Sequence, residues 1–131
     1  MSTHVTGYFE ERYTPTRRGF DSFFGYYNGF VDFYNGTYVE LNGFSGYDFR
    51  KNTEVHKTNG KYLTDLLTDK AVEVIENHDQ HKTGQPLFLM LSQIAPHTGN
   101  NYDLFQAPEE TVAKYSYIER RNRQFLAGES I

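Results

Sequence analysis

Pro86-Leu87-Phe88-Leu89-Met90-Leu91-Ser92-Gln93-Ile94-Ala95-Pro96-His97-Thr98-Gly99 is the stretch on which the reading of this chain turns. It opens with an uncharged apolar run, Leu87 to Leu91. A run this short, without alternation, predicts a strand buried on both faces, as in a parallel sheet flanked by helices. Pro96 stops the run, and a histidine follows at once. In open α/β sheets, ligands gather just beyond the carboxyl ends of the strands. That position makes His97 the leading candidate for a reactive side chain. The plainer alternative is a histidine that merely closes a loop after a proline.

Upstream of the run lies the clearest helix. Leu63, Leu66, Leu67, Ala71, Val74 and Ile75 recur at helical spacing and make one apolar stripe, with Asp65, Asp69, Glu73 and Glu76 on the other side. Those acids form a solvated face rather than a cation site. Asn77 and His78 end the helix, and His78-Asp79-Gln80-His81 leads into a solvated connector. A histidine near a helix C-terminus suits the dipole without any metal. Helix, connector and buried strand make half of a βαβ crossover. Downstream, Ala107-Pro108-Glu109-Glu110 predicts a helix start, with proline in the first turn and acids at the positive end. Ser116-Tyr117-Ile118-Glu119 has a capping-box pattern for a second helix carrying Arg120, Arg121 and Arg123, with Gly128 beyond it.

The first third is of another kind. Between Tyr8 and Phe49 lie 15 of the 22 tyrosines and phenylalanines, with Gly19, Gly25, Gly29, Gly36, Gly43 and Gly46 set among them. Each glycine costs a helix about 1 kcal/mol, so no helical stripe survives there. Asn28-Gly29, Asn35-Gly36 and Asn42-Gly43 mark three turns. Residues 8–60 are therefore expected to form a long aromatic-pinned loop region, with a short helix near Asp21 to Tyr26. Packing onto a core is the preferred reading of the aromatics, and stacking platforms for sugars or bases the alternative. Asn35-Gly36-Thr37 is a glycosylation sequon on one of the turns.

Composition bounds the rest. The 131 residues make one domain's worth of chain, and 37% hydrophobic against 23% charged residues suits a globular fold. A net charge of −4 gives no global attraction to nucleic acid, and none is expected as a partner. There is no cysteine, which excludes a thiolate metal site and a cysteine nucleophile. No window approaches the ~20 apolar residues of a membrane span, and the start lacks the pattern of a signal peptide. No phosphate-binding glycine loop, zinc-helix motif or serine elbow is present.

Thr14-Pro15-Thr16-Arg17-Arg18-Gly19-Phe20-Asp21-Ser22-Phe23-Phe24-Gly25-Tyr26 closely resembles a segment of the arylsulfatases, in particular the arylsulfatase B (N-acetylgalactosamine-4-sulfatase) group. The resemblance continues through Tyr47-Asp48-Phe49-Arg50, Tyr62-Leu63-Thr64, Pro86-Leu87-Phe88-Leu89 with Ala95-Pro96-His97, Gln106-Ala107-Pro108, and Asn122 to Ala127. It implies an α/β fold: a partial alkaline-phosphatase-like domain with an incomplete parallel sheet flanked by helices and the aromatic loop region in front. Residues 1–7 are then expected to be an unrelated start, and 61–127 the helix-strand-helix part.

The family hydrolyses sulfate esters with a formylglycine made from a cysteine, and binds Ca²⁺ through Asp and Asn ligands. The resemblance places the precursor cysteine and the metal ligands outside this chain, which is read as an internal fragment expected to be inactive alone. His97 matches the family histidine that contacts the sulfate and assists the leaving group. His4 matches a further family histidine only with a one-residue insertion. Implied partners are a sulfated small molecule or glycan, and the implied location is lysosomal or secreted. The alternative is a non-catalytic remnant that binds a glycan or a protein partner.

Overall fold

The apolar stripe becomes helix α1, Leu63–Asn77, in the computed structural model, which describes residues 2–4, 10–40 and 42–130. Leu63 and Leu67 are fully buried and Ala71 nearly so, while Leu66 and Val74 pack against the same core. Each fully buried leucine stabilises the fold by about 1.5–3 kcal/mol. Ile75, at the far end of the stripe, is 55% exposed. The last turn closes where the His78 N–H donates to the Ile75 carbonyl.

Against this helix stands a four-stranded sheet in the order β1-β2-β5-β6, made of Ser2–His4, Phe23–Tyr26, Phe49–Lys51 and Glu54–Val55. The β1–β2 pair is parallel; β2–β5 and β5–β6 are antiparallel. A separate hairpin joins β3, Thr37–Val39, to β4, Ser45–Tyr47. Three further helices follow: α2 at Gln80–Thr83, α3 at Glu109–Ala113 and α4 at Arg121–Glu129.

The aromatic third supplies most of the core. Phe24, Tyr26, Phe33 and Phe49 are buried with Val31, Tyr62, Leu63, Leu67 and Ile94 in one cluster. The Phe24 ring meets Phe49 edge-on at 5.1 Å, and Phe23 stacks on Tyr27 at 5.1 Å. Gly36 is required where it stands. Its φ is +69°, and a Cβ there would lie 2.9 Å from Cβ of Phe49. The expected loop region thus contains five strands of two to four residues, too short to show alternation.

Three local expectations are corrected. Asp21 to Tyr26 holds strand β2, all four of whose residues are buried, instead of a short helix. Leu87 to Leu91 is not a doubly buried strand: Met90 alone forms an isolated bridge, and Leu87, Phe88, Met90 and Leu91 are 38–71% exposed. A buried strand needs a partner on each edge and cover on each face. Among the described residues this segment has one bridge, and Leu89 alone of the run packs against the core. The capping box at Ser116 starts no helix, because the Ser116 and Ile118 N–H groups close turns back onto Ala113 and Tyr115. Helix α4 begins at Arg121 and runs through Gly128, where a Cβ would meet Val112 Cγ2 at 3.1 Å. That glycine serves the close approach of α3 and α4 rather than a helix end.

Front and back of the chain are joined by buried polar groups. Asp32 is 4% exposed. Its Oδ1 accepts the N–H groups of Tyr34 and Asn35 at 3.0 and 2.8 Å. Its Oδ2 accepts from Tyr102 Oη and Gln106 Nε2, both at 2.8 Å. Gln106 Oε1 in turn accepts the Phe33 N–H at 2.6 Å, and Glu129 Oε1 accepts the Gln106 N–H at 2.8 Å.

Burial alone would raise the Asp32 carboxyl; the hydrogen bonds from Asn35, Gln106, Tyr102 and Tyr34 outweigh it and hold the group below the usual carboxylate range. Glu129 is driven the other way, chiefly by burial, with the Asp103 charge adding to it, and its Oε2 has no partner. The two groups give opposite pH dependences. Asp32 contributes stability above its unfolded pKa, lost as pH falls through the lowered folded value. Glu129 favours folding below its unfolded pKa, and that contribution is lost as pH rises through the raised folded value.

Urea denaturation across about pH 3–7 separates them. Asp32→Asn, which turns an amide N–H toward buried donors, should cost about 2–4 kcal/mol at neutral pH and flatten the acid limb. Glu129→Gln keeps the acceptor for Gln106 and should raise the neutral-pH midpoint, with the gain vanishing in acid.

Candidate active site

His97 is placed from the core outward. Ile94 is 2% exposed in the main cluster, and the Gln93 side chain donates to Thr68 Oγ1 on α1 at 2.8 Å. The Ala95–Pro96 bond is cis, and the His97 N–H donates to the Ile94 carbonyl at 2.8 Å. A turn anchored on a buried isoleucine thus delivers His97 to the surface, where its side chain is exposed. The ring is oriented by its own loop: Nδ1 lies 2.9 Å from the Thr98 carbonyl. A carbonyl oxygen only accepts, so Nδ1 carries the proton and Nε2 is the free pole.

The residues just after His97 are locked to hairpin strand β3. Asn100 is fully buried. Its Oδ1 accepts the Val39 N–H at 3.2 Å, and its Nδ2 donates to the Thr37 carbonyl at 2.8 Å. One carboxamide thereby does for β3 what a neighbouring strand's peptide would do. Tyr102 Oη, which donates to Asp32, also accepts from Asn100 Nδ2 at 3.1 Å. Gly99 is confined by Asp103 and Gln106, since a Cβ would sit 2.7 Å from the Asp103 carbonyl.

His4 lies in β1 with its Cα opposite Tyr26 of β2. Its side chain falls outside the described residues. Asn35 is exposed at the turn before β3, and its Oδ1 accepts the N–H and hydroxyl of Thr37 at 2.8 and 2.5 Å. The His78–His81 connector is spoken for by structure: Asp79 caps α2 through the N–H groups of His81 and Lys82, and His78 Nε2 lies 3.1 Å from the Gln85 carbonyl.

The buried carboxylates Asp32 and Asp48 do not fit a calcium ion. Both Asp32 oxygens face N–H and O–H donors, and Asp48 Oδ2 accepts the N–H groups of Tyr27 and Asn28 at 3.0 and 2.8 Å. Burial raises the Asp48 carboxyl, against those hydrogen bonds and the Arg50 charge. Among the described residues no three Asp, Glu or His side chains converge on one point. With no cysteine present, these residues also hold no cysteine precursor of formylglycine.

The family model described as "Sulfatase" matches residues 2–127. The chain belongs to the sulfatase family. It is 32% identical over 133 residues to Arylsulfatase J of Mus musculus, covering 96% of this chain and 21% of that protein. It is 34% identical over 99 residues to the uncharacterized sulfatase YdeN of Escherichia coli (strain K12), over 75% of this chain and 15% of that protein. Among solved structures, Ps i-CgsB superposes with a TM-score of 0.72 at 24% identity, covering 98% of this chain and 30% of that one. The chain thus spans about a fifth of the length of its first curated relative. The sulfatase match takes in β1 and His4 as well as the Pro96-His97 turn.

Sequence reasoning singled out His97 but not the groups that hold its loop. Asn100, Tyr102, Asp32 and Gln106 sit in segments without periodicity, and the bonds by which they join front to back span 61–74 positions. Asn100→Ala should release the loop from β3. Hydrogen exchange at the Val39 amide, which donates to Asn100, is expected to quicken by about tenfold, with little change at α1 amides.

Proposed function

We propose that this chain is the histidine-bearing part of an arylsulfatase of the arylsulfatase B-like group, acting on sulfate esters of a sulfated glycan or a smaller sulfated molecule. The observation that carries the reading is His97: an exposed imidazole, fixed at Nδ1, on a rigid turn beyond the core, in a chain of sulfatase descent. With Nδ1–H held by the Thr98 carbonyl, Nε2 is the ring nitrogen left to meet the substrate, and in the doubly protonated imidazolium it can donate to a sulfate oxygen or to the departing alcohol. Formylglycine and Ca²⁺, supplied by residues other than these, would provide the nucleophile and charge neutralisation. One solved relative of the same fold is described in complex with k-i-k-neocarrahexaose, which favours a glycan over a small ester.

Placement in a lysosomal or secreted setting belongs to the same proposal, together with glycosylation at Asn35. Asn35 is exposed on its turn, as a sequon acceptor on a surface loop should be. His4 would be a second site histidine, and the sulfatase match that begins at residue 2 supports that reading. No helix among the described residues is long and apolar enough to cross a membrane.

Two measurements test the assignment. The 131-residue chain alone should give no turnover of a chromogenic aryl sulfate above buffer, and turnover surviving purification would overturn this. In a longer protein that contains these residues and hydrolyses such esters, His97→Ala should lower kcat by about a hundredfold or more with an unchanged melting curve. Near-normal activity in that variant would remove His97 from the mechanism.

A further inference from the structure

A small cavity opens beside Asn35-Gly36-Thr37, the only Asn-x-Ser/Thr triplet in these 131 residues. It holds about 170 Å³ and is lined by Asn35, Tyr47, Lys57, Thr58, Asn59 and Gly60. Hydrogen bonds fix its walls. Thr37 pairs with Tyr47 across the β3–β4 hairpin, so their side chains leave the same face of it. The Gly36 carbonyl accepts the Asp48 N–H at 2.9 Å, which ties the residue after Asn35 to the residue after Tyr47. The other wall is fastened where the Thr58 hydroxyl donates to the Tyr34 carbonyl. It then curls through Asn59 and Gly60, at φ +54° and +77°. Asn35 Oδ1 accepts the N–H and hydroxyl of Thr37, while its Nδ2 makes no hydrogen bond among the described residues. Tyr47 is 49% exposed. Lys57, the one charged residue of the lining, has its Nζ 5.9 Å from the Tyr47 ring centroid.

We infer that this cavity seats the first N-acetylhexosamine of a glycan attached to Asn35, with one face of the sugar against the Tyr47 ring. The inference rests on the secreted placement and the Asn35 glycosylation proposed above, and adds where the sugar goes and what it does there. The sequon identifies the occupant, because the atom that carries the sugar belongs to a residue of the lining. In the attachment the bond from Nδ2 to C1 of the sugar forms, the bond from C1 to the diphosphate of an activated glycosyl donor breaks, and an Nδ2 proton is released. Size also favours a tethered ring over a free ligand. Pockets for free drug-sized molecules start at roughly 300 Å³, and 170 Å³ is well below that. A short covalent tether supplies an effective concentration in about the millimolar range, at which weak contacts are occupied. A pyranose has a C–H face that packs on an aromatic ring, and its hydroxyls and acetamide can pair with the Lys57 ammonium and the Asn59 carboxamide. Seated there, the sugar bridges the hairpin and the 57–60 segment and holds the two together.

The test compares two forms of the 131-residue chain. One is secreted from mammalian cells behind a cleaved leader and trimmed by an endoglycosidase to a single sugar; the other is made in bacteria without sugar. Peptide mass spectrometry should find the single N-acetylhexosamine on Asn35. That sugar should raise the melting temperature by about 3 °C. It should also slow hydrogen exchange in residues 45–47 and 57–60 by about tenfold, with α1 amides unchanged. Tyr47→Ala should remove most of both effects. Tyr117→Ala, at an exposed aromatic that does not line the cavity, should keep them. A sugar that protects equally in the Tyr47→Ala chain, or protects nothing in the parent, would overturn the cradle and leave the glycosylation of Asn35 standing. A secreted chain whose Asn35 is bare would overturn the glycosylation and the cradle together.

Discussion

Gln106 is the constraint on which the rest of this structure depends. Its backbone N–H donates to Glu129, its carbonyl accepts from Tyr62 Oη at 3.2 Å, its Oε1 accepts from Phe33 and its Nε2 donates to Asp32. One buried residue thereby joins the Asp32 turn, the start of α1, the loop after His97 and the end of α4. An amide has two donors and two acceptor lone pairs on its side chain, so it can sit between a carboxylate and a peptide N–H without leaving either unpaired. The Tyr62 hydroxyl shows how far water is excluded here. Burial, with the nearby Glu129 charge, pushes it up to about 12.

That network explains how a chain with such short strands keeps a defined shape. Strands of two to four residues contribute few ladder bonds, and isolated hairpins are marginal in water. Here the β3 edge is completed by Asn100 and the Asp32 turn, and Gly36 lets the turn sit directly on Phe49. Fully satisfied polar groups in a low-dielectric interior are costly to break singly, so they specify one arrangement of loops that packing alone would leave degenerate. Glu129 Oε2 is the exception, a buried oxygen without a hydrogen-bond partner among the described residues.

The same frame bears on function. The chemistry assigned to His97 depends on the Nδ1–H being taken up by the Thr98 carbonyl, which leaves Nε2 as the nitrogen open to substrate on a turn anchored at Ile94. The aromatic region divides in two: rings that make the core, and rings on the hairpin that remain outside it. Asn100 joins the hairpin to the histidine loop by two hydrogen bonds.

Read alone, the sequence determined whatever is local or carried by family resemblance. Helix α1 follows from Leu63, Leu67 and Ala71 at helical spacing, the turns at Gly36 and Gly43 from Asn-Gly pairs, and the sulfatase descent from the ordered segments between Thr14 and Ala127. Only the tertiary structure decided where the apolar run and the polar loops go. Leu87 to Leu91 has the composition of a buried strand, yet burial also requires partners that periodicity cannot supply, and most of its side chains stand exposed. Asp32, Asn100 and Gln106 look like ordinary loop residues because the bonds that tie distant segments together, Val39 to Asn100 and Gln106 to Asp32, span 61 and 74 positions. A hydrogen bond between distant segments leaves no period in either one, so that part of the site became legible only once the chain had folded.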